Sequence, residues 1–339
     1  LFDAHKLGLK KLLFISREGV FLKQVCELLQ KEVQLFKSLE TIDLETLYAS
    51  RTSTVACTYM GFKSARALKI VIEKTIYRQQ HFSIGNFLKV FGVPSEVAST
   101  ADWEPLWGES AIARLTAFLQ SPEGQKAHQF LEQAKAITRD YFAQFGIENE
   151  PFGLVDVGWA GTIQDHIAHM IKSNGWKTKA YGFYLGSNSL RSSAYTNDLY
   201  SRIFPGYIAN ETDRDIRTTT MVKAMPLLEI CFTDPTLETT VGYTRKNDTI
   251  TPLFESKNDG SERIYREILA SSLYHAEKFA EISNLYTIDP TKTRNRSRNA
   301  LLDLMTNPTK NEAKLFEKTE FDFGWGEIGT HKLTTPVAA

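Results

Sequence analysis

Two hydrophobic patterns alternate along this 339-residue chain. One is the short apolar run of strand length; the other recurs every three to four residues, as on one face of a helix. They are clearest together between Phe152 and Ile171. Phe152-Gly-Leu-Val-Asp-Val157 predicts a buried strand, and Gly158-Trp-Ala-Gly161 a tight turn. From Thr162, the spacing of Ile163, Ile167, Met170 and Ile171 predicts a helix. The same order recurs near the start. Lys11-Leu-Leu-Phe-Ile15 reads as a strand, Ser16-Arg-Glu-Gly19 as a polar turn, and Val20–Leu35 as a helix. Leu1–Leu9 reads as the end of a helix, and Leu47-Tyr-Ala-Ser50 as a short strand that delivers Ser50-Arg51 into a turn.

Between these units, helical spacing dominates at Phe62–Lys74, Ser83–Phe91, Ala111–Leu119 and Gln125–Phe145. Ser121-Pro-Glu-Gly marks a helix start, since a serine cap followed by proline at the first turn favours one. Further on, Lys179–Leu185 predicts a strand, and Tyr200–Ile208 a strand or extended loop. Met221–Phe232 and Ile264–Ile282 read as helices. Val241–Thr244 and Thr249–Phe254 form a predicted hairpin. A polar, basic tail follows from Thr287 to Arg298, then short helices at Asn299–Met305 and Glu312–Glu317 and a last strand near Phe321–Ile328. The expected fold is α/β, with Rossmann-like strand–turn–helix units and a helical insertion. Residues 1–60 form a first α/β portion, 61–150 the insertion or cap, 151–260 a second α/β portion with the hairpin, and 261–339 the C-terminal helices and final strand.

Composition narrows the picture. Lys plus Arg and Asp plus Glu both number 40, so nucleic acid or an anionic membrane is not indicated as the main partner. Cys26, Cys57 and Cys231 lie far apart in apolar flanks and follow no metal-ligand spacing, as expected of reduced thiols in a cytoplasmic protein. No apolar run reaches membrane-spanning length. The chain opens at Leu1 inside an apparent helix, as a piece of a longer polypeptide would.

The candidate chemistry sits at the strand ends. A helix N-terminus after a glycine turn suits phosphate or carboxylate, so Gly158, Gly161 and Thr162 are candidate anion-binding positions, with Asp156 on the preceding strand. The plainer alternative is that the glycines only permit a tight turn. Ser16, Arg17, Glu18 and Gly19 place a hydroxyl, a guanidinium and a carboxylate in one turn; Ser50 and Arg51 repeat the Ser-Arg pair. Arg can donate two parallel hydrogen bonds to phosphate, although each Arg has an alternative use as a cap or ion-pair partner. Trp159 is a candidate stacking surface for a sugar or base, or else a core residue. Glu229, in an apolar helix, is either a paired buried carboxylate or a general base. His166 and His169, beside Asp165, lack a third ligand at recognisable spacing, which argues against zinc. Walker, GxSxG, CxxC and DxDx[TV] signatures are absent from the chain.

Four segments together resemble a bacterial family. FISREGVFL resembles its F-x-[SA]-R-D-G-x-x-L segment, LYASRTS its Y-L-x-x-S-R-R segment, and LVDVGWAGTIQ its V-D-I-G-W-x-G-[ST]-I-Q segment, which adds Gln164 to the candidates. LLEICFTDPTLETTVGY resembles its L-L-E-x-x-F-x-A-P-x-G-S-x-x-G-Y, with one extra residue. Members are described as haloacid-dehalogenase-superfamily hydrolases of capsule, O-antigen and other surface-polysaccharide clusters, often fused to glycosyltransferases. The phosphatase-like domain lies upstream of these motifs, so this chain resembles the C-terminal module. Glu18 stands for the family's Asp, Thr52 for its second Arg, and Thr236-Leu-Glu-Thr239 departs from its Pro-x-Gly-Ser turn.

The resemblance implies a cytoplasmic enzyme module that binds a phosphorylated sugar or nucleotide-sugar, with glycosyl transfer as the leading reaction. Arg17 and Arg51 would then clamp phosphate, and Glu18 or Asp156 would serve as base or hold Mg2+. Hydrolysis of a phosphate ester with an upstream catalytic domain is one alternative. A non-catalytic scaffold for glycosyltransferases of the same pathway is another.

Overall fold

The computed structural model describes residues 1–33, 41–59, 83–94, 96, 108–187, 199–210, 220–221, 225–234, 236–255, 262–286, 289–316, 320–321 and 331–332. The expected helix at 62–74 and most of the last strand lie outside them. The class is α/β with a Rossmann-like, parallel central sheet.

Among the described residues the sheet has six strands: β1 (Lys11–Ile15), β2 (Asp43–Leu47), β3 (Phe152–Trp159), β4 (Ala180–Ser187), β5 (Ser201–Ile203) and β6 (Ala209–Asn210). Their order is β2-β1-β3-β4-β5, all pairs parallel, with β6 also pairing on β4. Both faces of a parallel sheet are covered, so its strands read as continuous apolar runs. That is why Leu12, Leu13, Phe14 and Ile15 are all buried. Successive side chains point to opposite faces. Leu13 and Ile15 join one core with Leu154, Ile167, Met170 and Phe142; Leu12 and Phe14 join another with Ala4, Leu9 and Phe183.

Helix α1 (Phe2–Lys6) and α2 (Glu18–Glu32) cover the second face. After β2 the chain makes the short helix α3 (Arg51–Thr54) and a 3-10 turn at Val55–Thr58. The helical insertion contributes α4 (Ile84–Val90), α5 (Gly108–Gln120) and α6 (Pro122–Ala143). Helix α6 lies on the first face beside α7 (Thr162–Asn174). The insertion therefore leaves and rejoins a single sheet; β1 and β2 of residues 1–60 share it with β3 and β4.

The rest of the chain builds outward. Helix α8 (Met225–Phe232) packs on α2 and β3, and α9 (Glu262–Ser283) packs on α2. Phe21 of α2 meets the Phe232 ring edge-on, with centroids 4.9 Å apart. The hairpin β7 (Thr239–Lys246) and β8 (Thr249–Glu255) turns at Asn247, whose φ is 55°. Gln144 grips Ile250 twice: its amide donates to the Ile250 carbonyl at 3.0 Å, and its oxygen accepts from the Ile250 N–H at 2.9 Å. Helices α10 (Pro290–Thr306) and α11 (Lys310–Phe316) follow, and β9 (Glu320–Phe321) pairs with β10 (His331–Lys332).

Three expectations are corrected. The second strand ends at Leu47 rather than beginning there, because the partly exposed Asp43-Leu-Glu-Thr-Leu47 is an edge strand that hides its apolar pattern. Lys11 pairs with Glu45 across its ladder. The strand before the central turn runs on through Gly158 and Trp159, which pair with Gly186 and Ser187 of β4. The polar tail is helical from Pro290, because the Asp289 side chain accepts from the N–H groups of Thr291 and Lys292.

Ser121 joins α5 to α6. Its Oγ accepts from Gly124 N–H at 3.1 Å and donates to the Phe118 carbonyl at 2.8 Å. Ser121→Ala should lower stability by about 1 kcal/mol, read as a lower urea midpoint with an unchanged slope.

Candidate functional site

The order β2-β1-β3-β4 places a topological switch point between β1 and β3, where one strand's helix covers one face and the next strand's helix the other. Open α/β sheets bind their ligands in the crevice at the carboxyl ends of such a pair. Here those ends carry Ser16–Gly19 and Asp156–Thr162.

On the β1 side, the Ser16 N–H donates to the Leu47 carbonyl at 2.9 Å and ties the turn to the end of β2. Ser16 is buried, and Gly19 packs so closely on β1 that a Cβ there would stand 2.8 Å from the Phe14 carbonyl carbon. Arg17 and Glu18 are partly exposed, with their charged ends 3.9 Å apart. Glu18 Oε2 accepts from the Arg17 N–H at 3.2 Å. Glu18 Oε1 accepts from the Thr233 hydroxyl at 2.7 Å, and the Thr233 N–H donates to the Glu229 carbonyl at 2.8 Å. Thr233 thus draws the end of α8 over the crevice. Its signal in the sequence was its place directly after LLEICF, inside a quoted motif.

Asp156 lies across from Glu18, inside β3 rather than at its tip, and accepts from the Val157 N–H at 2.8 Å. Burial raises its pKa well above the carboxylate range. The charge of Glu18 and then of Glu229 raises it further; the Val157 N–H and Arg51 act the other way. Glu229 is pushed up to about 7, first by burial and then by Glu18, while Arg51 and Arg17 oppose the shift. These mutual influences bring Arg17, Glu18, Arg51, Asp156 and Glu229 into one electrostatic cluster.

The other candidates divide. Gly161 caps α7 with φ of 67°, a left-handed conformation that favours glycine and supplies no capping side chain. The first N–H groups of α7, beginning at Thr162, lack carbonyl partners within the helix and lie at the crevice end of the sheet. Gly158 is not part of that turn; it sits in β3 opposite Gly186.

Trp159 is a core residue. Its ring lies over Gly186, where an added Cβ would come within 2.2 Å of it, and it clusters with Val157, Ala209, Met221 and Leu228. Ser50 is engaged within the fold: its hydroxyl donates to the Thr240 carbonyl at 2.6 Å and accepts from the Ser53 N–H at 3.0 Å. Gln164 is fully buried. Its amide faces the Ala180 carbonyl, the Ser201 hydroxyl and the Arg202 carbonyl at 2.8–3.1 Å, and its oxygen accepts from the Tyr184 hydroxyl at 2.7 Å. Neither Ser50 nor Gln164 has hydrogen-bonding capacity directed at a ligand.

His166 faces the Thr54 hydroxyl at 2.9 Å, and burial drives its pKa down to about 3. Asp165, in the first turn of α7, is raised to about 8 by burial, and its Oδ1 has no hydrogen-bond partner. Among the described residues no group of three or more His, Cys, Asp and Glu side chains could hold a metal ion, and no helix is long and apolar enough to cross a membrane.

The fold and this cluster define a Rossmann-like α/β protein with a charged switch-point crevice. Compared with family models and with curated protein sequences, the chain matches none.

Gln164→Leu leaves several buried polar groups without partners and should lower stability by about 2–4 kcal/mol in urea unfolding. Glu229 holds its proton more tightly when folded than at its ordinary value of 4.5. The stability this confers is complete below about pH 4.5 and is lost as pH rises through about 7. Glu229→Gln should therefore flatten the decline across that window. Near pH 8 it should be the more stable form by about 1–3 kcal/mol, which urea midpoints across pH would measure.

Proposed function

We propose that this crevice binds a phosphorylated sugar or nucleotide-sugar and that the protein transfers the glycosyl group in bacterial surface-polysaccharide assembly. The observation carrying this reading is the electrostatic cluster of Arg17 and Arg51 with Glu18, Asp156 and Glu229 at the switch point. Guanidinium groups suit phosphate oxygens, and the N–H groups opening α7 add donors of the same preference. Carboxylates suit the hydroxyls of a sugar.

The carboxyls are also electrostatically unequal in a way that separates their roles. Burial and the charge of Glu18 raise Asp156 well above its ordinary carboxylate value, which suits it to donate a hydrogen bond or a proton. Glu229, with a pKa of about 7, exchanges a proton near neutrality and is the acceptor for the attacking hydroxyl. Glu18 is fixed by Thr233 and the Arg17 N–H, and its charge raises the proton affinity of both Asp156 and Glu229. The resemblance of the Phe14–Leu22, Leu47–Ser53, Leu154–Gln164 and Leu227–Tyr243 motifs to the polysaccharide-associated family supports the substrate class. Arg17 and Arg51 supply the positive charge, so this reading needs no metal, although Mg2+ bridging phosphate and Glu18 is compatible with it.

Thermal shifts against nucleotide-sugars, sugar phosphates and inorganic phosphate, with and without Mg2+, test the reading. A ligand at a hundredfold excess over its Kd stabilises the fold by about 2.7 kcal/mol. Arg17→Ala should weaken that ligand about 10- to 100-fold, as expected for a lost charge-assisted hydrogen bond. Unchanged affinity would remove Arg17 from the site. No shift with any compound would favour a non-catalytic scaffold.

A further inference from the structure

The zero net charge of the chain conceals a local surplus. Helix α10 carries Lys292, Arg294, Arg296 and Arg298 in its first half, and no acidic residue occurs between Pro290 and Leu302. Lys292, Arg294 and Arg296 are exposed, and among the described residues no carboxylate pairs with them; Arg294 donates to the Gly206 carbonyl at 3.2 Å. This arrangement opposes the helix's own stability. Lys292 sits in the first turn, where the backbone is already electropositive. Lys292 with Arg296, and Arg294 with Arg298, are like charges four residues apart, which repel on a helix face. Counter-charge supplied from outside would relieve both effects.

The neighbouring end of α9 supplies the second half of the surface. Ile282, Leu285 and Tyr286 are 53%, 75% and 70% exposed, and Tyr274 is 56% exposed. Tyr274 and Ile282 lie about 80° apart on one face of α9 at about 100° per residue, and Leu285 and Tyr286 follow in the turn after Ser283, where both N–H groups donate to the Ile282 carbonyl at 3.0 and 2.9 Å. Lys278 lies in the same stripe, over the Tyr274 ring, and pairs with Glu281. Of the nearby acids, Glu32 pairs with Lys31 and Asp289 caps α10, while Glu277 on α9 is exposed. Tyr286 and Asp289 are three residues apart, so the apolar stripe ends within about 11 Å of the cationic helix.

Aliphatic and aromatic side chains beside unpaired cations are the composition of a surface that enters the headgroup region of a bilayer. We propose that the corner formed by the end of α9 and the start of α10 docks on an anionic lipid surface. Leu285 and Tyr286 enter the interface, and Lys292, Arg294 and Arg296 meet the headgroup phosphates. Nucleic acid would use the cations but gives no role to the exposed Ile282 and Leu285.

Co-sedimentation of the 339-residue chain with lipid vesicles tests this. The chain should pellet with vesicles of equal parts phosphatidylcholine and phosphatidylglycerol and stay in solution with phosphatidylcholine alone. Raised salt should release it. Lys292→Gln with Arg296→Gln should lower partitioning about 25-fold, at about fivefold per cation. Leu285→Ser with Tyr286→Ser should weaken binding at constant charge. All four positions are exposed, and unchanged circular dichroism would confirm folding of the variants. Arg17→Ala should bind vesicles as the parent does, which separates this surface from the crevice. Failure to pellet with the mixed vesicles, or equal binding by the charge variant, would overturn the proposal. So would capture of RNA in place of vesicles, which would reassign the cations to a polyanion.

Discussion

The parallel pairing of Leu12–Phe14 in β1 with Gly153–Val155 in β3 is the contact on which the rest of the molecule depends. It joins stretches separated by the whole helical insertion and puts two strand ends side by side where the sheet reverses its order. Convergence of the Arg17–Glu18 turn with Asp156 follows from that pairing. So does the division of the core. The insertion must return to the strand it left beside, so α6 lies on the same face as α7.

The crevice concentrates charge where burial opposes it. Desolvation disfavours ionised carboxylates, and three of them interact here. Two features moderate the effect. The Val157 N–H and Arg51 oppose the rise in Asp156, and the guanidinium groups of Arg17 and Arg51 oppose the rise in Glu229. A core serving stability alone would hold apolar residues at these positions, since a buried like-charge group weakens the fold. The cluster is the feature on which the proposed ligand chemistry rests, while Gln164 and Ser50 show what polar groups do in this fold when their partners are internal.

Legibility in the sequence tracked how local the physics was. Strand β3, its glycine cap and α7 were readable because an apolar run, a turn residue and a helical period lie within twenty positions. The Ser121 start of α6 and the Asn247 hairpin turn were readable for the same reason. Strand β2 was displaced because an edge strand with polar Asp43, Glu45 and Thr46 lacks a buried run. The second half of helix α10 was read as a helix at Asn299–Met305, but its first half was missed because the evidence there is a single cap before a polar, basic stretch. Among the candidate site residues, charge at strand ends found Arg17, Glu18, Arg51 and Asp156. Sequence could not tell that Ser50 reaches Thr240 or that Gln164 reaches Ser201, because those partners are remote and a polar side chain looks the same whether it meets protein or ligand.

The hairpin β7–β8 has a consequence for synthesis. Ser50 and Ser53, on either side of Arg51, reach Thr240 and Tyr243, both 190 positions downstream. Tyr243 also holds the Tyr48 carbonyl, and Gln144 holds Ile250. The turn that carries Arg51 therefore cannot take its final form until the hairpin has been made. At about 5–20 residues per second, the ribosome takes about 10–40 s to cross that interval. For that time the Ser50–Ser53 segment exists without the hairpin groups that fix it, and the nascent chain must hold those hydroxyls in other company.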